Sequence, residues 1–226
     1  MNSQESISHQ NLFFQQFRQN PFQTGAILPG SKALARAMAA YLAQKQGQVR
    51  VLEVGAGTGA ITAEIIPLLQ PGDSLDIVEI SPKLMACLQQ RCRQEPRFRT
   101  DGIEVRFIND DIRKVSFQAD YDYIIFSLPL TNFPSAMVQE ILDLMMSHLK
   151  PGGVFSYVKY IFISRLKYLV SGPMVRTEMR ANRAIADVFA GKYQVERRAI
   201  LRNVPPAWTH YWQKPGASKR YSAAGQ

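Results

Sequence analysis

The sequence predicts an α/β protein built on a doubly wound, largely parallel sheet, and three observations predict it. Short apolar runs alternate with helical patterns from about residue 50 to residue 158. One run, Val51-Leu52-Glu53-Val54, opens directly into Gly55-Ala56-Gly57-Thr58-Gly59, a turn with three alternate glycines. Another, Leu75-Asp76-Ile77-Val78-Glu79, ends in a carboxylate twenty residues after Gly59. Strand, glycine turn, helix, strand and acid in that order make a βαβ unit suited to a nucleoside.

The elements follow in chain order. Residues 6–19 could form an amphipathic helix with Leu12, Phe13 and Phe17 on one side, ended by Asn20-Pro21. Bulky aromatics on a short, nearly uncharged helix suit a membrane interface and suit packing on the core equally well. Residues 23–30 read as a loop, and Ser31 caps a helix carrying Leu34, Met38, Tyr41 and Leu42. Strand one covers about 50–54 and its helix 60–69. Strand two covers 75–79, followed by a helix from Ser81-Pro82 to about Arg93, with proline at the first helical position. Strand three (105–109) ends in Asp110-Asp111, and strand four is 121–126. A helix over 136–148 ends at Lys150-Pro151-Gly152-Gly153, and strand five is 154–158. A helix over 174–190 and two late strands, 195–204 and 208–213, complete a seven-stranded sheet. The chain thus divides into an N-terminal helix and cofactor-covering loop (1–30), one domain (31–215) and a disordered tail (216–226).

The 226 residues suffice for one α/β domain with a sizeable core. The two cysteines, Cys87 and Cys92, lie five apart on a predicted helix, do not face each other, and are expected to be reduced and partly buried. Met1 to Gln10 lacks the pattern of a signal peptide, and no run of about 18 apolar residues occurs that could span a membrane. A cytoplasmic monomer is the expectation. The net charge of +9 is uneven. Residues 1–150 hold 14 Lys/Arg and 15 Asp/Glu, whereas residues 151–226 hold 13 Lys/Arg against Glu178, Asp187 and Glu196. A basic third beside a neutral half suits an anionic partner, either nucleic acid or an anionic lipid surface, or is a solvated face.

The spacing around the glycines selects the nucleoside. A dinucleotide fingerprint reads G-x-G-x-x-G, but here the pattern is E-x-G-x-G-x-G. Glu53 would repel a pyrophosphate and suits an ammonium group, which S-adenosylmethionine carries on its amino-acid end. The pattern resembles the glycine-rich motif of class I S-adenosylmethionine-dependent methyltransferases, which implies a Rossmann-like seven-stranded sheet and that cofactor. Ligands in such sheets bind outside the carboxyl ends of the strands. That gathers Glu53, Gly55, Ala56, Gly57, Gly59, Glu79, Ile80, Asp110, Asp111, Ile112 and Ser127 around one crevice, with Ile27 from the preceding loop. Glu79 would accept the ribose hydroxyls. Asp111 would accept from the adenine amine, or cap the next turn. No metal is expected.

The segment after strand four faces the methyl donor and so selects the acceptor. Methyltransferases of rRNA adenines carry Asn-Leu/Ile-Pro-Tyr/Phe there, so that the aromatic stacks on the base. This chain has Ser127-Leu128-Pro129-Leu130. The longer string Ser127-Leu128-Pro129-Leu130-Thr131-Asn132-Phe133-Pro134 resembles Ser-Gly-Leu-Pro-Leu-Leu-Asn-Phe-Pro of the bacterial phospholipid N-methyltransferases. Gly25-Ala26-Ile27-Leu28-Pro29-Gly30-Ser31 and Arg202-Asn203-Val204-Pro205-Pro206-Ala207 are similar to further strings of that family. The likeness covers residues 12–213. It departs by one missing glycine after Ser127, by Asp110 where glycine is usual, and by a longer, more basic stretch after strand five. The resemblance implies methylation of phosphatidylethanolamine towards phosphatidylcholine, at the inner face of the cytoplasmic membrane, with no nucleic acid involved. Lys159, Arg165 and Lys167, alternating with Tyr160, Phe162, Leu166 and Tyr168, fit an anionic lipid surface. Leu128, Pro129, Asn132, Tyr157 and Tyr160 are the candidate acceptor-side residues, and a backbone carbonyl near Leu128-Pro129, water or one of the tyrosines would take the amine proton. The competing expectations are an rRNA adenine N-methyltransferase, a small-molecule N- or O-methyltransferase and a non-catalytic scaffold.

Overall fold

The computed structural model of the chain describes residues 31–161 and 172–216. The expected N-terminal helix, Ile27 and its loop, most of the basic-aromatic stretch after strand five and the tail lie outside the described residues.

Seven strands form one sheet: β1 (Arg50–Val54), β2 (Ser74–Val78), β3 (Glu104–Ile108), β4 (Tyr121–Phe126), β5 (Leu149–Tyr160), β6 (Gln194–Ile200) and β7 (Ala207–Gln213). Their order is β3-β2-β1-β4-β5-β7-β6. The first five are parallel, and β7 runs antiparallel to both β5 and β6. The order reverses at β1, so the crevice opens between the carboxyl ends of β1 and β4. The helices are α1 (Lys32–Met38), α2 (Thr62–Ile65), α3 (Pro82–Gln94), α4 (Ser135–Ser147) and α5 (Pro173–Tyr193).

Strand alternation sends side chains to two apolar layers. On one face Val51, Leu75 and Ile77 pack with Leu34 and Met38 of α1, Ile65 of α2 and Leu88 of α3. On the other, Leu52, Val54, Ile124 and Phe126 pack with Ile141 and Met145 of α4 and Phe189 of α5. Trp212 is fully buried there and stacks between Phe155 (5.4 Å) and Phe189 (5.7 Å). Burying a side chain of this kind contributes about 1.5–3 kcal/mol, so α5 is fastened by its C-terminal half.

Three elements differ from the sequence expectation. The helix after the glycine turn is short, because Pro67 has no N–H to give and the chain tightens into a 3-10 turn over Ile66–Leu68. Residues 150–153 do not merely stop a helix. They are part of β5, which starts at Leu149. Lys214 holds this stretch: its carbonyl accepts from the Gly152 amide (2.8 Å), its amide donates to Gly153 (3.1 Å), and its Nζ donates to the Leu149 carbonyl (2.6 Å). Strand β6 ends at Ile200 rather than 204, because Asn203 turns inward. The thiols also need a correction. Both are free, but Cys87 is exposed and only Cys92 is half-buried, since the α3 stripe that faces the core runs through Leu84, Met85 and Leu88.

Candidate active site

The donor side is built from β1, the glycine turn and β2. Glu53 shares a face with Val51 and is fully buried. One oxygen accepts from the Thr62 hydroxyl at 2.7 Å, while Oε1 is buried with no partner. Burial pushes its pKa up to about 7, against the lowering effect of Thr62. A buried carboxylate oxygen without a donor is costly unless a ligand satisfies it. The Glu79 carboxylate is spanned by backbone: Oε2 accepts from the Gly57 amide and Oε1 from the Ser81 amide, each at 2.8 Å. Desolvation raises its pKa. A carboxylate has about four acceptor positions, so Glu79 fixes the turn and still has acceptor capacity for a ligand.

Gly57 sits at φ +59 with nothing within 4 Å of where a Cβ would stand, so the turn is open on that side. Gly55, at φ +79, is closed on the other: a Cβ would lie 2.5 Å from Leu128 Cδ2. The Gly55 backbone therefore meets the Leu128 side chain of the segment after β4 where a Cβ would not fit. Ser127 strengthens that join, with its hydroxyl 2.5 Å from the Gly55 carbonyl and 3.1 Å from that of Val54. Ala56 is buried. Gly59 is also buried and abuts Leu88 of α3. Arg91 of α3, which sequence reasoning missed, donates to the Thr58 carbonyl and pins the turn from outside.

Gly55, Ile80, Asp110, Asp111, Ile112 and Leu128 line one narrow cleft at the carboxyl ends of the strands. Asp111 forms within it the cap that the sequence also allowed. Its carboxylate caps the turn Ile112–Lys114 by accepting from the Arg113 amide (3.0 Å) and pairs with the Arg113 guanidinium (2.6 Å). Asp110 is exposed and accepts only from its neighbour's amide (2.7 Å), so it carries the more available carboxylate for an amine.

On the acceptor side, Leu128 and Leu130 pack against the second apolar layer, and Phe133 is buried. Leu130–Asn132 form a 3-10 turn after Pro129, with the Asn132 amide donating to the Pro129 carbonyl at 2.9 Å. Two residues of α5 hold this loop, and sequence reasoning missed both. Asn182, 5% exposed, donates through Nδ2 to the carbonyls of Phe133 (2.8 Å) and Leu130 (3.3 Å). Glu178 accepts from the Ser135 amide at 2.7 Å and so caps α4. Their signal was present: Glu178, Asn182, Ile185 and Phe189 recur on one helix face, and the two apolar members pack inward. Asn182 thus occupies the carbonyls of Leu130 and Phe133, whereas those of Leu128 and Pro129, the expected proton acceptors, accept from the Leu130 amide (3.0 Å) and the Asn132 amide (2.9 Å).

Tyr157 is not placed as a proton acceptor. It is 5% exposed, stacks on His210 at 4.7 Å, and burial pushes its pKa far above the usual phenol range. Tyr160 is half-buried at the end of β5, and burial raises its pKa as well. His210, distant from the motifs in sequence, lands beside Tyr157 through the β5–β7 pairing. Burial, then Lys159 and Arg197, push its pKa down to about 4, so it is a neutral imidazole near pH 7. Asn203 joins two of the family-like strings. Its Oδ1 accepts from the Ser31 amide at 2.8 Å, across 172 residues, and its Nδ2 donates to Pro205 at 2.7 Å.

Comparison with known proteins bears on this geometry. Residues 51–153 match the family model described as a methyltransferase domain. That stretch is a methyltransferase domain. Ornithine lipid N-methyltransferase of Singulisphaera acidiphila is 24% identical over 147 residues, 65% of this chain and 76% of that protein. Ribosomal RNA small subunit methyltransferase A of a Synechococcus strain is 42% identical over 78 residues, but these are 34% of this chain and 27% of that protein. The structure of magnesium protoporphyrin IX methyltransferase from Synechocystis, with bound S-adenosylmethionine, superposes with a TM-score of 0.62 at 14% identity, covering 91% of this chain and 96% of that one. The fold is the Rossmann-like fold of class I methyltransferases, and S-adenosylmethionine is the cofactor that goes with this domain and fold. The residues fit it, on the unpartnered Glu53 oxygen and the open side of Gly57. Among the described residues, no group of three or more His, Cys, Asp or Glu could hold a metal ion, and no helix is long and apolar enough to cross a membrane.

Proposed function

We propose that this chain is an S-adenosylmethionine-dependent N-methyltransferase whose acceptor is the amine of a phosphatidylethanolamine headgroup at a membrane surface. The observation that carries the reading is the acceptor loop. At the carboxyl end of β4, where a base-methylating enzyme would offer an aromatic, Leu130 turns into the second apolar layer. Nothing at that position offers a plane for a flipped base. The loop therefore suits a flexible aliphatic amine, and the similarity to a lipid N-methyltransferase agrees.

When bound, S-adenosylmethionine supplies an electrophilic methyl group on a sulfonium. The protein's own work is positioning. Glu53 and Glu79 fix the cofactor's two ends, and Ser127 holds the glycine turn at a set distance from Leu128 and Pro129. Asn182 and Glu178 keep the loop from sagging, so that the amine stands in line. Such alignment can supply roughly 7–11 kcal/mol of a barrier. A dedicated base is not needed for an amine that enters unprotonated. Attack forms the N–CH3 bond as the sulfonium S–CH3 bond breaks, and the resulting secondary ammonium releases one proton to water while a loop carbonyl can accept a hydrogen bond from it.

Expression in a bacterium that makes phosphatidylethanolamine but no phosphatidylcholine tests the reading. Mass spectrometry of its lipids should show mono-, di- or trimethylated phosphatidylethanolamine. Unchanged lipids, with the protein folded and binding S-adenosylmethionine, would overturn it.

A further inference from the structure

We infer that a rim formed by the first turn of α5 and the β6–β7 turn is the surface on which this protein seats on an anionic bilayer. The inference rests on the lipid reading above and adds the surface that reading lacks. Four side chains carry it: Met174 (75% exposed) and Val175 (40%) on α5, and Leu201 (71%) and Val204 (84%) on the turn.

The fold puts all four at the site's end of the molecule. Ala207, which opens β7, pairs with Ile200 at the end of β6 and with Tyr160 at the end of β5. The β6–β7 turn therefore lies at the carboxyl edge of the parallel strands, the edge that holds the cleft. Helix α5 starts at the same edge, because Glu178 and Asn182 reach the loop after β4, while its last residues lead into the start of β6. Met174 and Val175 stand at or beyond that loop.

The β6–β7 turn is also patterned in reverse. Its uncharged polar residue, Asn203, is 2% exposed and bonded to Ser31 and Pro205. Its apolar residues, Leu201 and Val204, face out. A water-facing turn would place them the other way round. Asn203 holds the tip rigid, so the two apolar side chains are presented rather than loosely exposed. Arg202 between them is exposed too, within a third of the chain that holds 13 Lys/Arg against three acids. Aliphatic tips that enter the acyl boundary, with cations at headgroup level, are what an anionic lipid surface binds. RNA is the other anionic partner, but its unpaired bases are taken up on aromatic or guanidinium planes, and none of these four side chains is aromatic.

Two other exposed aliphatics serve as internal controls. Val195 (51% exposed) stands at the start of β6, at the opposite edge. Val188 (71% exposed) is on α5, about 21 Å along the helix from Met174.

The test uses the full chain and co-sedimentation with vesicles of phosphatidylethanolamine and phosphatidylglycerol. The wild type should bind them, and bind vesicles of phosphatidylethanolamine and phosphatidylcholine far less. The pair Leu201→Ser with Val204→Ser, and separately Met174→Ser, should weaken partition by roughly tenfold. Val188→Ser and Val195→Ser should leave it unchanged. All variants should keep the wild-type melting temperature and S-adenosylmethionine affinity, which separates lost docking from lost folding. Undiminished binding by the rim variants, equal loss in the control variants, or capture of RNA in place of vesicles would each overturn the inference. The two readings fail separately. Methylation of detergent-dispersed phosphatidylethanolamine, with rim variants that still bind vesicles, would sink the rim alone. Vesicle binding through the rim without any lipid methylation would sink the lipid-methylating reading alone.

Discussion

The donor half and the acceptor half of this molecule are held in shape by contacts of different reach. In the donor half, Glu53 bonds a residue nine positions away and Glu79 grips the glycine turn from 22 positions away. One βαβ unit contains all of it. In the acceptor half, the loop after β4 is held by Asn182 and Glu178, 43 to 52 positions away, on a helix that belongs to neither flanking strand. The turn after β6 is tied to Ser31 across 172 positions. A unit closed by short contacts can keep one cofactor while its partner half is repacked around another acceptor. That division fits the range of relatives, whose names speak of a lipid and of ribosomal RNA.

The largest effect expected falls on the donor half. Gly57→Val puts a β-branched residue at φ +59, in the open space left for the ligand. Binding of S-adenosylmethionine, measured by calorimetry, should fall more than about a hundredfold. Binding within a few-fold of wild type would break the assignment of that turn.

Next comes Asn182→Ala, which removes two bonds to the acceptor loop and costs about 1–3 kcal/mol of stability. Here kcat should fall about tenfold or more while cofactor affinity stays within about twofold. A parallel loss of cofactor affinity would show that the halves are not separable.

Glu53 gives a pH signature. Its carboxyl titrates near 7 when buried, against an ordinary value of 4.5. Cofactor affinity should therefore rise between pH 6 and pH 8, by up to about tenfold, as the carboxylate forms opposite the ammonium. In Glu53→Gln the affinity should be lower and flat across that range. The sign for stability is the opposite: the folded chain holds this proton more tightly than the unfolded chain, so stability without cofactor declines as pH rises from 4.5 through 7.

The smallest effect belongs to His210, half-buried in the acceptor half with its pKa pushed down to about 4. Unfolding frees it to bind a proton near its ordinary 6.5, so its contribution is intact above that value and is lost as pH falls towards 4. His210→Gln should flatten the acid limb of a denaturation series by about 1–2 kcal/mol. The Glu53 and His210 slopes oppose each other over the same range, so only the single variants reveal them.

What could be read from the sequence follows the same division. The glycine turn, Glu53 and Glu79 were legible because one short segment contains both the motif and its partners. The seven strands were legible from alternation and turn chemistry, within a residue or two except at β5 and the end of β6. The β5 start was hidden because Pro151-Gly152-Gly153 reads as a terminator, while its partner, Lys214, lies 65 positions from Leu149. Asp111 stayed ambiguous because the same acid pattern serves a ligand or a cap; the cap, made with Arg113, forms only in the folded turn. Glu178 and Asn182 share a helix face with Ile185 and Phe189, but their partners in the loop after β4, like the β5 partner of His210, are fixed only once α5 and β7 have packed.

The most direct test of the central claim is a competition in one tube. Labelled S-adenosylmethionine, vesicles of phosphatidylethanolamine with phosphatidylglycerol, and rRNA are incubated together with the full chain, and the label is counted in each acceptor. The account predicts label in methylated phosphatidylethanolamine, at least about tenfold above that in RNA. Label in RNA with none in lipid would contradict it, and would mean that the loop after β4 accepts a base without an aromatic to stack it.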